Sequence, residues 1–127
     1  MNLLLDTHLL LWFAQGDPAL SDTARILIED PQNEIFFSTV SLWECAIKFG
    51  LGRADFTLHP AELRAQLSTH GFSELVLYGD HAIELLALPT LHRDPFDRIL
   101  VAQAQVEKLT LLTSDVTLAQ YPGTRLV

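Results

Sequence analysis

Two short stretches, NLLLD at 2–6 and LTLLTS at 109–114, carry apolar residues in unbroken succession. A strand with one wet face alternates between apolar and polar side chains; an unbroken run has to be covered on both faces. NLLLD passes at once into THLLLWFAQ, which reads as a helix, and Gly16, Asp17 and Pro18 form the turn after it. Ser21 then caps a second helix to about Asp30, with Ala24, Ile26, Leu27 and Ile28 supplying its apolar side. EIFFST (34–39) reads as the second strand. Ser41 opens a third helix, LWECAIKFG, ended by Gly50 and Gly52. A fourth helix starts at Pro60 and runs to about residue 70, FSELVLY is a third strand, and DHAIELLAL is a fifth helix stopped by Pro89. Pro95 to Lys108 is the sixth helix, and TRLV near the end is a last short strand. Strands alternating with helices predict an α/β/α sandwich around a central, mainly parallel sheet of four to five strands. With 127 residues, and no repeat, linker or low-complexity block, residues 1–127 read as a single domain.

The start, MNLLLDTHLLLWFA, is apolar enough to suggest a signal or membrane span, but it lacks a basic flank and is interrupted by Asp6 and His8. It reads instead as a buried strand running into a helix, so no membrane role is expected. Cys45 is the only cysteine, which rules out an intramolecular disulfide and fits a reducing cytosol. Hydrophobic residues make up 49 % of the chain, enough to leave apolar surface for a dimer or a partner helix. The formal net charge is −8. A protein holding nucleic acid by phosphate neutralisation alone would be basic. If this one touches nucleic acid, a bound divalent cation or a few placed arginines must offset the repulsion.

The acids fall at particular places. Asp6 ends the first strand, Glu44 lies in the first turn of the third helix, Asp97 in the first turn of the sixth, and Asp115 follows LTLLTS. In a parallel sheet, strand C-termini and the helix N-termini that follow share one edge, where ligands bind. Each acid also has a plainer reading. Asp6 reads as a helix cap, Ser41-Leu-Trp-Glu44 fits a capping box, and Asp115 suits a turn. In HRDPFDR (92–98), Pro95 takes the first helical position and Asp94 the cap, so Asp97 has no capping work left. The helix dipole favours a negative charge there by only about 0.3–1 kcal/mol. Carboxylates gathered in one cleft take up a proton or a cation, and hard oxygens suit Mg²⁺ or Mn²⁺. His8, His59, His70, His81 and His92 show no zinc-type spacing and read as surface or packing residues.

LLLDTHLLLW, STVSLWECAIK, LHRDPFDRILVAQA and LLTSD, in that order and spacing, resemble PIN-domain proteins, and most of all the VapC-type toxin ribonucleases of toxin–antitoxin pairs. The resemblance spans essentially the whole chain. It implies that Asp6, Glu44, Asp97 and Asp115 hold one or two Mg²⁺ or Mn²⁺ ions and hydrolyse RNA. Thr7 and Thr113 or Ser114 match the hydroxyl residues flanking such a site, and read equally well as caps and turn bonds. Asp94 matches a frequent extra acid and is kept as cap and support. Lys48, Arg93 and Arg98 are candidate phosphate contacts, although Lys48 at i+4 from Glu44 is the better ion-pair candidate and Arg98 could bridge the acids instead. The resemblance further implies a VapB-like antitoxin that lies along an apolar groove, a homodimer and a cytoplasmic location. Trp12, Phe13, Trp43, Phe49 and Leu51 read mainly as core, with any left outside suited to that groove. Two rivals stay open: a receiver-like phosphoacceptor with an acidic Mg²⁺ pocket, and a PIN domain that has lost catalysis and only binds partners.

Overall fold

A computed structural model describes all 127 residues. Five strands, β1 (Asn2–Leu5), β2 (Glu34–Ser38), β3 (Ser73–Leu75), β4 (Thr110–Thr113) and β5 (Thr124–Leu126), form one all-parallel sheet in the order β3-β2-β1-β4-β5. The helices are α1 (Thr7–Gln15), α2 (Asp22–Glu29), α3 (Thr39–Gly50), α4 (Pro60–Thr69), α5 (Gly79–Glu84) and α6 (Pro95–Glu107), with short 3₁₀ turns at Leu85–Ala87 and Leu118–Gln120. The sheet is therefore wholly parallel, at the upper end of the expected strand number. No helix is long and apolar enough to cross a membrane.

The unbroken apolar runs explain the layering. Leu3 and Leu5 of β1 join Ile35, Phe37 and Leu112 in one core, packed under α1, α2 and α4 through Leu9, Leu10, Ala24, Ile28, Leu63 and Leu67. Leu4 and Leu111 point the other way, into a second core with Leu100, Val101 and Ala104 of α6. Successive side chains of one strand thus serve opposite cores. Each buried leucine contributes about 1.5–3 kcal/mol.

The strand order reverses direction at β1, whose neighbours are β2 and β4. A crevice opens at the carboxyl edge beside such a point. Receiver-type domains have the order 2-1-3-4-5, so the observed order removes the receiver-like alternative.

Three expectations need correction. The third helix begins at Thr39, two residues before Ser41, and Ser38 caps it through the Val40 N–H at 3.0 Å. The β-branched pair Thr39–Val40 looks like strand, yet it forms the first turn of the helix. Glu44 consequently lies in the second turn, free of any capping box. In α2, Ala24 and Ile28 are buried, but Ile26 is 68 % exposed, because only one stripe of an eight-residue helix can face the core. Trp12 and Phe13 pack against the first core, whereas Trp43, Phe49 and Leu51 are exposed, Leu51 at 70 %. The aromatic side of α3 is a surface, not core.

Candidate metal centre

Asp6 stands where β1 ends and α1 begins. Its backbone N–H donates to the Leu112 carbonyl at 3.1 Å, carrying the β1–β4 pairing one residue further. One carboxylate oxygen, Oδ1, accepts the Leu9 N–H at 2.9 Å and caps α1. The other, Oδ2, accepts the Thr113 hydroxyl. The capping and site readings are therefore not exclusive, since each uses a different oxygen. Burial pushes the Asp6 carboxyl above its ordinary range, against the lowering effect of those two hydrogen bonds.

Glu44 is buried at 2 % exposure. Thr7 Oγ1 donates to its Oε1 at 2.8 Å and lies 3.0 Å from Ser41 Oγ. Lys48 Nζ donates to Oε2 at 2.6 Å, one turn along α3. Burial works against the Lys48 ammonium, but the hydrogen bond to Glu44 and the charges of Glu44 and Asp94 hold its pKa above the usual value. Phe56 covers the same ammonium, its ring centre 4.8 Å away.

The start of α6 follows the proline logic. Asp94 Oδ1 accepts the N–H groups of Phe96 at 2.8 Å and Asp97 at 3.3 Å, with Pro95 in the first turn. The side chain of Asp97 takes no part in the cap. Burial, then the negative charges of Asp94, Asp6 and Glu44, push its carboxyl up to about 7. Beyond the end of β4, Asp115 Oδ1 accepts the N–H groups of Thr117 at 2.8 Å and Leu118 at 3.1 Å. Burial alone would raise the Asp115 carboxyl, but the His92 hydrogen bond and those backbone donors outweigh it and hold it low.

His92, read from the sequence as a surface or packing residue, is one that sequence reasoning missed. Its Nε2 lies 2.9 Å from Asp115 Oδ2 and 3.5 Å from Asp97 Oδ2. A usable signal was its position two residues before a helix cap at the same sheet edge. Ring spacing of the zinc type is the wrong test for a histidine that enters from a loop. Tyr121 was missed as well: its hydroxyl accepts the N–H groups of Leu91 and His92, each at 3.1 Å, and donates to the Pro89 carbonyl at 2.8 Å.

Of the remaining expected residues, Thr7 and Thr113 face the acids. Ser114 is exposed, one residue beyond the end of β4 where the covering layers stop. Lys48 is an ion-pair partner of Glu44. Arg93 is exposed, and Arg98 is half-buried with its Nε lacking a hydrogen-bond partner; neither forms an ion pair with an acid. Arg98 therefore does not bridge the carboxylates. Thr113 Oγ1 accepts the Asp115 N–H at 3.0 Å while it donates to Asp6. Thr113→Val keeps the shape and leaves both partners short, so a loss of about 1–3 kcal/mol is expected, read from the urea midpoint in chelator.

The donor chemistry fits a hard divalent cation. One oxygen each of Asp97 and Asp115 lie within 4.8 Å of each other and of a ring nitrogen of His92, whereas Asp6 and Glu44 stand outside that group. Burial and neighbouring acids raise the Asp97 and Asp6 carboxyls, while Glu44 has Lys48 as its cation. Cys45 contributes nothing, since it is buried and its thiol is pushed up to about 12.

Comparison with known proteins agrees with this architecture. Residues 3–123 match the family model of the PIN domain. VapBC2 from Rickettsia felis, solved bound to a DNA fragment from its promoter, superposes with a TM-score of 0.72 at 18 % identity, over 100 % of this chain and 98 % of that one. A toxin–antitoxin complex from Klebsiella pneumoniae gives 0.65 at 25 % identity, over 96 % and 94 %. VapBC-1 from nontypeable Haemophilus influenzae gives 0.60 at 18 %, over 94 % and 91 %. No curated protein sequence matches the chain. With the family model covering all but its first two and last four residues, the chain belongs to the PIN-domain family.

Proposed function

We propose that this protein is a metal-dependent endoribonuclease, the VapC-type toxin of a toxin–antitoxin pair. The observation that carries the reading is where Asp97 lies: at the start of α6, grouped with Asp115, its Oδ2 3.5 Å from His92 Nε2. Its carboxyl is pushed up to about 7 by burial and by three neighbouring acids drawn from three separate parts of the chain. Such an arrangement is costly unless a cation completes it. Asp6, Glu44, Asp97 and Asp115 would hold the ion, with Mg²⁺ or Mn²⁺ as the candidates their oxygen chemistry selects. Bound there, a divalent ion supplies a water of lowered pKa and stabilises charge on a phosphodiester.

The chain's own groups do the rest of the work. Thr113 and the Leu9 N–H fix both oxygens of Asp6. Thr7 and Lys48 fix both oxygens of Glu44. With Lys48 committed in this way, Arg93 and Arg98 are the basic residues beside Asp97 left to meet substrate phosphates. A net charge of −8 gives the surface little unspecific hold on RNA, so the local cation and these arginines carry the attraction. A partner rich in basic residues, as an antitoxin tail would be, suits the same acidic edge, and exposed Trp43, Phe49 and Leu51 offer apolar contacts for its helix. Homodimer formation and a cytoplasmic site of action belong to the same proposal.

The test is cleavage of a structured RNA pool with Mn²⁺ or Mg²⁺ and with excess chelator. Cuts that require the ion, and that vanish when the antitoxin encoded beside the toxin is added, are expected. Cleavage undiminished by chelator ends the metal reading; metal uptake without any cleavage leaves a PIN domain that only binds partners.

A further inference from the structure

His92 lies among the acids and would ordinarily be counted as a metal ligand. The hydrogen bonds around it say otherwise. The Asp94 N–H donates to His92 Nδ1 at 3.1 Å. That N–H cannot turn elsewhere, because Asp94 is the cap of α6 and its side chain is tied to Phe96 and Asp97. A ring that accepts at Nδ1 carries its proton at Nε2. Nε2 is the atom facing Asp115 at 2.9 Å and Asp97 at 3.5 Å. To coordinate a cation through Nε2, the proton would have to move to Nδ1, which would then confront the Asp94 N–H donor to donor.

The loop bearing the ring is equally fixed. Tyr121, 1 % exposed, clamps Pro89, Leu91 and His92 through its hydroxyl. Tyr121 in turn follows the 3₁₀ turn that Asp115 caps through Thr117 and Leu118. Asp115, the turn 115–121, Tyr121 and His92 therefore form a closed ring of contacts. Its one side-chain-to-side-chain link is the bond from His92 to Asp115.

We infer that His92 is a positioning residue and not a ligand: its Nε2–H sets the carboxylate of Asp115, with the tautomer dictated by the Asp94 backbone. The inference rests on reading Asp115 as a metal ligand. Asp115 Oδ1 is taken by backbone donors, so Oδ2 is the oxygen whose direction is adjustable, and His92 is what directs it. Hydrogen-bonding partners one step removed from a metal are worth about 10–100-fold in metal affinity.

Two measurements test this together. In the full-length, metal-free protein, ¹⁵N-detected histidine spectra should show His92 as the Nε2–H tautomer, and its ring nitrogens should keep those shifts when Mg²⁺ is added. By calorimetry, His92→Leu should weaken Mn²⁺ binding about 10-fold or more. His92→Gln, which offers an N–H at nearly the same place, should restore most of the loss. An Nδ1–H tautomer overturns the inference, as does a directly coordinated ring nitrogen in the spin-echo spectrum of the Mn²⁺ form. So does a His92→Leu protein that binds Mn²⁺ as tightly as the parent. Failure of the unsubstituted protein to take up Mn²⁺ strikes the metal-site reading itself, and this role of His92 with it.

Discussion

Asp97→Asn is expected to move activity and stability in opposite directions. The substitution keeps the shape of the side chain and removes its negative charge. Mn²⁺-dependent cleavage of RNA should fall by about 10³-fold, because charge stabilisation by a catalytic metal is worth several kcal/mol and each tenfold in rate is about 1.4 kcal/mol. In chelator at neutral pH the same variant should be more stable than the parent, by on the order of 2 kcal/mol. The parent's carboxyl is pushed up to about 7 by burial and by Asp94, Asp6 and Glu44, so its ionised form is the disfavoured one. The 2 kcal/mol figure already allows for the solvent that reaches a side chain 20 % exposed. Rates at saturating Mn²⁺ and urea midpoints in chelator measure the two halves. An ordinary structural acid, paired and content, would do the reverse and lose stability on substitution. A fully active variant would remove Asp97 from the chemistry.

What was readable from the residues depends on how local each contact is. The sheet could be read because LLL at 3–5 and LL at 111–112 have to be buried on both faces, and only helices on both sides of a parallel sheet manage that. The cap at Asp94 could be read because proline fixes its neighbours' roles locally. The start of α3 could not. Thr39 and Val40 favour strand by propensity, and their helical state depends on Ser38, whose hydroxyl meets both the Val40 N–H and the Gln103 side chain 65 positions away. His92 escaped for a similar reason. Its partners at 97 and 115 come from a helix and a strand exit, and only the Tyr121 clamp on the 89–92 loop delivers the ring to them. The exposure of Trp43 and Leu51 is tertiary as well: residue type says apolar, but which stripe of α3 meets the sheet depends on where the helix begins. Local chemistry was legible; contacts made through a remote element were not.

Metal-free protein should lose stability as the pH rises from about 4 to about 7, and a divalent ion should reverse that trend. The folded-state pKa of Asp97 is raised from 3.8 to about 7, and that of Asp6 is raised in the same direction. A carboxyl raised on folding gives stability that is whole below its unfolded pKa and lost as pH climbs through the folded one. Asp115 has the opposite sign, since its lowered pKa gives stability above about pH 4 that disappears in stronger acid. Subtracting the Asp97→Asn curve from the parent's isolates the first effect. The difference should be near zero at pH 4 and on the order of 2 kcal/mol against the parent at pH 7.5. Mn²⁺ at about 100 times its Kd adds roughly 2.7 kcal/mol at pH 7.5, which for a domain of this size is a rise in Tm of roughly 10 °C. At pH 5 the gain should be much smaller, because the ion must first displace the proton that Asp97 holds. An Mn²⁺ shift of equal size at both pH values would mean that the ion binds without displacing that proton, and Asp97 could not then be a ligand.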